Sequence, residues 1–388
     1  MSGGQERFAP LLSPLSAEEM EGRVRSMGEA LLVWYGQEAR DLPWRRTRDP
    51  YRIWLSEIML QQTRVETVIP YYERFLKALP DMKALAEAPE EQLHKLWEGL
   101  GYYSRVRNLR KAARQAMEQY GGRLPETYDE LLKLCGIGDY TAGAVASIAF
   151  GQPVPAVDGN VLRVLSRLLA AEGDILSPAV KRSVRTLLLE QLPQEQPGAF
   201  NQALMDLGAT ICLPGGEPRC GSCPIRPDCL AAERGQQLAF PVKKQKKPRR
   251  VEERTVFLLR DEAGRVLLHR RPDEGLLAGL WEFPHTEGTL SRTEADALLR
   301  ERGIVPLQLL SLRPVKHIFT HIEWRMTGYL ICCGGLDPGE DEVLATGQQR
   351  REVYTLSSAF AAFQKVLDQM EGSAEDGNNQ EADGPRLF

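Results

Sequence analysis

The sequence predicts two domains of different class, an all-helical domain over residues 21–240 and an α+β domain over residues 252–370. Three observations carry this reading. Up to residue 240, apolar residues recur at helical spacing between prolines. Residues 241–250, Pro-Val-Lys-Lys-Gln-Lys-Lys-Pro-Arg-Arg, hold six basic residues and two prolines, as an exposed linker would. Beyond them the apolar period drops to two, the spacing of strands.

Residues 1–20, rich in Pro, Ser and Glu without periodicity, are expected to be a disordered arm. Helical stripes follow at 29–35, 53–76, 93–100, 106–117, 128–134, 141–150, 161–170, 181–192 and 200–207. Pro43, Pro80, Pro89, Pro125, Pro153 and Pro178 punctuate them. After the linker at 241–251, segments 255–259 and 265–270 flank Asp261-Glu-Ala-Gly264 as a β-hairpin. Residues 293–301 read as a short helix, and 307–314, 321–332 and 352–356 as strands. Residues 371–388 are acidic and rich in Gly, Asn and Asp, a composition that predicts a disordered tail.

Forty-nine Lys plus Arg against fifty-three Asp plus Glu give a net charge of −4, which excludes a uniformly basic protein but not a basic segment joined to acidic ones. A hydrophobic fraction of 43% and a charged fraction of 26% exclude wholesale disorder. No apolar run approaches the ~18 residues of a membrane helix. The N-terminus also lacks the cationic start and apolar block of a secretory signal, so a cytoplasmic protein with no membrane partner is expected.

Four of the seven cysteines crowd one segment: Cys212, seven residues, Cys220, two residues, Cys223, five residues, Cys229. Thiolates converging within a loop rich in Pro and Gly suit a metal, either zinc or an iron–sulfur cluster, and the spacing alone does not choose. Cys135, Cys332 and Cys333 read as packing residues. Gly136-Ile-Gly138 forms a tight turn between two helical stripes, where free backbone N–H groups can receive a phosphate. Asp158 precedes a helix as an N-cap would, and the helix dipole there favours its ionised form. Glu57 shares a helix face with Trp54, Ile58 and Gln61. Burial of that face would favour a protonated acid, and exposure would leave an ordinary surface glutamate.

Several motifs together carry a family resemblance. The Gly136/Gly138 hairpin, Val157-Asp158-Gly159-Asn160 and the four-cysteine loop resemble the helix–hairpin–helix DNA glycosylase superfamily that carries a [4Fe–4S] cluster. Within it, Leu42-Pro-Trp44-Arg45, Ser56-Glu57-Ile-Met-Leu-Gln61-Gln62-Thr63 and Trp97-Glu-Gly-Leu-Gly101-Tyr102-Tyr103-Ser104-Arg105 resemble the glycosylases that remove adenine mispaired with 8-oxoguanine. The resemblance implies that Cys212, Cys220, Cys223 and Cys229 hold the cluster. The family usually has six residues between its first two ligands, and Gly215-Gly216 is the expected insertion here. It implies a general-acid role for Glu57, stabilisation of the sugar cation by an ionised Asp158, and orientation by Tyr140 and Asn160. Gln62 and Tyr102 match positions that insert into DNA, Trp44, Arg45 and Gln202 match positions near the adenine pocket, and Gly136 and Gly138 match the phosphate-binding hairpin. Lyase relatives have a Schiff-base lysine where this chain has Tyr140, so a monofunctional hydrolase is implied. Arg105, Arg107, Arg110, Lys111 and Arg114 recur on one helix as candidate phosphate contacts.

The second domain is similar to Nudix hydrolases through Val266-Leu-Leu-His-Arg270, residues 275–284 and His317-Ile-Phe319-Thr320-His321. The helix at 293–301 lacks the Arg-Glu-x-x-Glu-Glu pattern that would hold divalent metal, so lesion recognition rather than nucleotide hydrolysis is implied. Phe319, Thr320 and His321 are the recognition residues, with Thr320 where the family often has serine. The implied partner is duplex DNA with an 8-oxoguanine:adenine or guanine:adenine mispair, bound by a monomer.

Overall fold

The computed structural model describes residues 6–244 and 248–377. The chain forms two compact units, Met1–Ala88 with Asn108–Lys246, and Pro89–Arg107 with Lys247–Phe388. The first is helical and the second α+β, as the change of period predicts.

The first unit holds α1 (Ala17–Glu38), α2 (Pro50–Leu60), α3 (Val65–Ala78) and α4 (Met82–Glu87). The second unit takes α5 (Glu90–Trp97) and the first turn of α6 (Ser104–Gln119), whose remainder returns to the first unit with α7 (Tyr128–Leu131), α8 (Asp139–Ile148), α9 (Gly159–Leu168), α10 (Pro178–Gln191), α11 (Pro197–Thr210) and α12 (Leu230–Glu233). Side chains fix the helix starts. Ser16 and Glu19 form a reciprocal capping box on α1, and Asp49 accepts from the amides of Tyr51 and Arg52 to start α2 behind Pro50. The expected stripe 53–76 is broken at residues 61–64, where Gln62 takes a left-handed φ of 58°.

One core of the first unit gathers Val24, Met27 and Leu31 from α1, Val161, Leu165 and Leu168 from α9, Leu187 and Leu188 from α10, and Phe200, Leu204 and Leu207 from α11. Phe8 and Leu11 belong to it at 2% and 1% exposure, so the expectation of a disordered arm is corrected for residues 6–20. Two large apolar side chains outweigh the polar composition around them. Residues 1–5 lie outside the described residues.

In the second unit a mixed sheet runs β3-β2-β1-β6-β5, with β4 on β1 and β7 on β2. The strands are β1 (Arg250–Arg260), β2 (Val266–Arg270), β3 (Trp281–Glu282), β4 (His285–Glu287), β5 (Pro306–Ile318), β6 (Ile322–Cys333) and β7 (Glu342–Ala345). β1 and β6 pair in parallel from Arg250↔Ile322 to Arg260↔Cys332, and β5 runs antiparallel to β6 with a register shift between Leu312 and Val315. Alternation sends Val256 and Leu258 to one face and Phe257 and Leu259 to the other. The first face packs on Phe363 and Leu367 of α15 (Ala361–Gly377), the second on Ala295 and Leu299 of α13 (Arg292–Glu301).

Four further expectations change. Segment 352–356 is the end of α14 (Gly347–Glu352) and a turn with a single bridge from Leu356 to Trp281, too short for a strand. Arg250 and Val251 are strand rather than linker, because they pair with Ile322 and Glu323. The expected tail opens as helix through Gly377, and residues 378–388 lie outside the described residues. Finally, residues 89–107 leave the helical domain for the second unit, where Arg107 donates to the carbonyl of Ala278 at 2.9 Å. Among the described residues no helix is long and apolar enough to cross a membrane.

Because Phe8 fills the first core, Phe8→Ala is expected to destabilise the helical unit by about 3–5 kcal/mol, read as a lower thermal unfolding midpoint. An unchanged midpoint would return residues 6–20 to the status of an arm.

Candidate active site

Two carboxyl groups, one buried (Glu57) and one half-buried (Asp158), anchor the site. Asp158 caps α9: its Oδ1 accepts from the amide of Val161 at 2.8 Å and its Oδ2 from the Asn160 side-chain amide at 2.7 Å. Asn160 is held in turn by Arg163, which donates to its Oδ1 at 2.8 Å, to the carbonyl of Gly208 at 2.8 Å and to that of Cys212 at 2.8 Å. Residue 208 must be glycine for α11 to come this close, since a Cβ there would lie 2.5 Å from Asn160 Cβ.

Glu57, 5% exposed, projects from α2 toward the start of α8, where Tyr140 donates its hydroxyl to Glu57 Oε2 at 2.5 Å. Burial pushes the Glu57 carboxyl up to about 7, against the Tyr140 hydrogen bond, with the Asp158 charge adding to the rise and Arg45 opposing it. Asp158 is also raised above the ordinary aspartate value by burial. The amides of Val161 and Asn160 and the Arg163 charge all hold it back. Asp158 therefore has fixed donors for its anion, whereas Glu57 has one hydroxyl.

Sequence reasoning missed Asp206. It is fully buried in α11 and accepts from Arg40 at 2.8 Å and from Arg45 at 2.7 Å, and these two cations overcome burial to hold its carboxyl below the ordinary value. The available signal was one acid in the apolar run Phe200-Asn-Gln-Ala-Leu-Met-Asp206-Leu. Arg45 is thus fixed where its charge reaches Glu57. Trp44 packs edge-on against Tyr72 at 5.4 Å, and Gln202 donates to the carbonyl of Gly198 within its own helix. The structure brings Glu57, Tyr140, Asp158, Asn160 and Arg45 together, while Trp44 and Gln202 engage other partners.

Gly136 has a φ of 75°, and a Cβ there would fall 2.6 Å from Asn108 Cβ. Gly138 caps α8 with no side-chain partner for the helix amides and no atom within 4 Å of a Cβ position. The arginine run at 105–114 is corrected in part. Arg105 is 8% exposed and donates to the carbonyls of Leu100 and Gly101, Arg107 to that of Ala278 and Arg114 to that of Ala86, so these guanidinium groups bind protein carbonyls.

Cys212, Cys220, Cys223 and Cys229 line one pocket beside Val164, Leu207 and Ile225. Burial pushes the Cys223 thiol up to about 12 and raises Cys229, and the neighbouring sulfurs add to both shifts. Among the described residues, no three His, Cys, Asp or Glu side chains converge closely enough to hold a single metal ion. Arg167 donates to Cys212 Sγ at 3.2 Å. Gly215 and Gly216 adopt φ values of 63° and 109° in an exposed turn, which the amide of Arg219 closes on the carbonyl of Ile211 at 2.9 Å.

In the second unit, Tyr102 has a φ of 48°, is 48% exposed, and lies 3.2 Å by its hydroxyl from Thr320 Oγ1. Phe319 is half-buried with its ring 5.0 Å from that of Trp324. Thr320 and His321 are exposed in the turn between β5 and β6, where the His321 carbonyl accepts from the amide of Arg250 at 3.1 Å.

Residues 55–190 match the HhH-GPD superfamily of base excision DNA repair proteins, and residues 255–365 match the NUDIX domain. The fold and these matches define an enzyme of the HhH-GPD class with a Nudix-like second unit. The chain is 37% identical to the adenine DNA glycosylase of Homo sapiens, covering 90% of this chain and 74% of that one. It is 41% identical to the adenine DNA glycosylase of Mus musculus, covering 82% and 73%. A solved thermostable thymine-DNA glycosylase aligns at 29% identity and a TM-score of 0.49 over 55% of this chain and 98% of that one. The chain belongs to the adenine DNA glycosylase family.

The geometry sets two stability expectations. Asp206→Asn leaves Arg40 and Arg45 short of their shared counter-charge and is expected to destabilise the helical unit by about 3 kcal/mol in chemical denaturation. The folded protein binds the Glu57 proton more tightly than the unfolded chain does, so that contribution is full below about pH 4 and is lost as pH rises through about 7. Glu57→Gln is therefore expected to be more stable than the parent by about 3 kcal/mol at pH 8 and to lose that advantage near pH 4. Parallel stability curves from pH 4 to 8 would contradict the shift.

Proposed function

We propose that the chain excises adenine from duplex DNA in which it stands opposite 8-oxoguanine or guanine, acting as a monomeric, monofunctional glycosylase in base excision repair. The observation that carries this reading is the pair of carboxyl groups in unlike settings, buried Glu57 bonded by Tyr140 and half-buried Asp158 on the N-terminus of α9. Adenine must leave the helical stack to reach them. Glu57 gives its proton to a ring nitrogen of adenine as the N-glycosidic bond breaks, so the bonding electrons depart with a neutral base. The ionised Asp158 stabilises the oxocarbenium character left on the sugar, and water completes hydrolysis. Tyr140 keeps the Glu57 carboxyl oriented, and Asn160 with Arg163 does the same for Asp158. A phenol cannot form a Schiff base, so strand cleavage by that route is excluded from the mechanism.

The remaining residues divide the DNA-handling work. Gln62 and Tyr102 are the inserting residues, and both hold a left-handed backbone, with φ values of 58° and 48°. Phe319, Thr320 and His321 read the oxidised guanine, Trp44, Arg45 and Gln202 border the adenine pocket, and the amides around Gly136 and Gly138 receive a backbone phosphate. Four thiols lining one pocket fit a [4Fe–4S] cluster held by Cys212, Cys220, Cys223 and Cys229. When bound, the cluster supplies the positive charge that keeps those sulfurs ionised and ties the loop at 212–229 together.

Single-turnover assays on duplexes with adenine opposite 8-oxoguanine, guanine, cytosine or thymine test the proposal. Abasic-site formation is expected opposite the first two, with Glu57→Gln and Asp158→Asn each slower by about 10²–10⁴-fold. The rate should fall as pH rises through about 7, where Glu57 loses its proton. Full adenine excision by either variant would sink the mechanism, and inactivity on both purine mispairs would sink the function. The purified protein should also absorb in the visible, and Cys223→Ser should weaken that absorption.

A further inference from the structure

The turn that presents Tyr102 is braced from below by a buried cation. Residues 99–102 are conformationally demanding: Gly99, Gly101 and Tyr102 have φ values of 97°, 70° and 48°. Arg105, the second residue of the following helix, donates through Nη2 to the carbonyls of Leu100 and Gly101, both at 3.0 Å. The Trp97 indole donates to that same Gly101 carbonyl at 3.1 Å, and the amide of Arg105 closes the turn on the Tyr102 carbonyl at 2.9 Å. The guanidinium lies 5.3 Å from the Trp97 ring centroid and 5.5 Å from that of Tyr102, between a fully buried indole and an exposed phenol. Burial lowers the Arg105 pKa to about 10, which leaves it charged at neutral pH. One nitrogen, Nη2, holds both carbonyls while the planar guanidinium faces two rings; a lysine ammonium can bond the carbonyls but has no plane to set against the rings.

We propose that Arg105 is a positioning residue for insertion into DNA: it clamps the turn at 99–103 and holds the Tyr102 ring in its exposed pose, instead of contacting phosphate itself. This rests on the reading of Tyr102 as an inserting residue. The pose is set before DNA arrives, so the ordering cost of the wedge is met by the fold and not at the moment of binding.

The test is a double-mutant cycle in the full-length protein on a duplex with one 8-oxoguanine:adenine pair and 2-aminopurine beside the lesion. Tyr102→Ala is expected to weaken binding at least about tenfold, as loss of a stacking side chain does, and to abolish the rise in 2-aminopurine fluorescence. Arg105→Lys should weaken binding about five- to tenfold and diminish that rise, while the pH dependence of excision at saturating enzyme stays unchanged. Adding Arg105→Lys to Tyr102→Ala should then change binding less than about twofold, since the clamp has nothing left to position. Trp97→Phe, which keeps a ring and removes the indole N–H, should reproduce the Arg105→Lys pattern more weakly and serves if the lysine variant fails to fold. Equal losses in both backgrounds would show that Arg105 acts independently of Tyr102 and overturn the proposal, as would parental binding by Arg105→Lys. Parental binding and fluorescence by Tyr102→Ala would instead overturn the reading of the wedge, and the clamp with it.

Discussion

The constraint on which the helical unit depends is the need to satisfy Arg163 and Arg167, two cations buried on α9 behind Asp158. Arg163 joins Asn160, Gly208 and Cys212, so the first turn of α9, the C-terminal part of α11 and the start of the cysteine loop share one guanidinium. Arg167, one turn on, reaches the carbonyls of Gln237, Phe240 and Leu213 and the Cys212 sulfur. A buried guanidinium is tolerated only when its donors find acceptors, and here the acceptors come from segments far apart in sequence. The position of Asp158 is therefore fixed by contacts that extend to the cysteine loop.

Burial works against stability at the other carboxyl. Glu57 is buried with the Tyr140 hydroxyl on its carboxylate, and burial raises its pKa to about 7, so the ionised form is costly to keep in the fold. Asp206 shows the opposite solution a few residues from the Arg163 contact at Gly208. Also buried, it is met by two arginines and stays a structural anion. Neighbouring carboxyls thus diverge in role because their donors differ in number and charge, with burial common to both.

The features legible in the sequence were those written locally. The change of apolar period marks the two classes of fold, the hairpin glycines announce their turn, and four cysteines in eighteen positions announce a shared pocket. Glu57 was placed on the correct face of its helix by spacing alone, although spacing could not say whether that face was buried. What was not legible depends on contacts distant in the chain. Phe8 and Leu11 sit in a polar, proline-bearing stretch, and only the core contributed by α1, α9 and α10 explains their burial. Arg105 reads as a surface charge in an arginine-rich helix until the turn folds back over it.

The assignment of residues 89–107 to the second unit separates two kinds of boundary. The point at which one module ends as text, near residue 247, is not the point at which it ends as a body, because Arg107 spends its side chain on Asp273 and Ala278 and Tyr102 meets Thr320. A gene fusion or truncation cut at the linker would carry α5 and the Tyr102 turn away from the partners that complete them. The Nudix-like unit is thus no detachable accessory, since its polypeptide is discontinuous and part of it is encoded inside its neighbour.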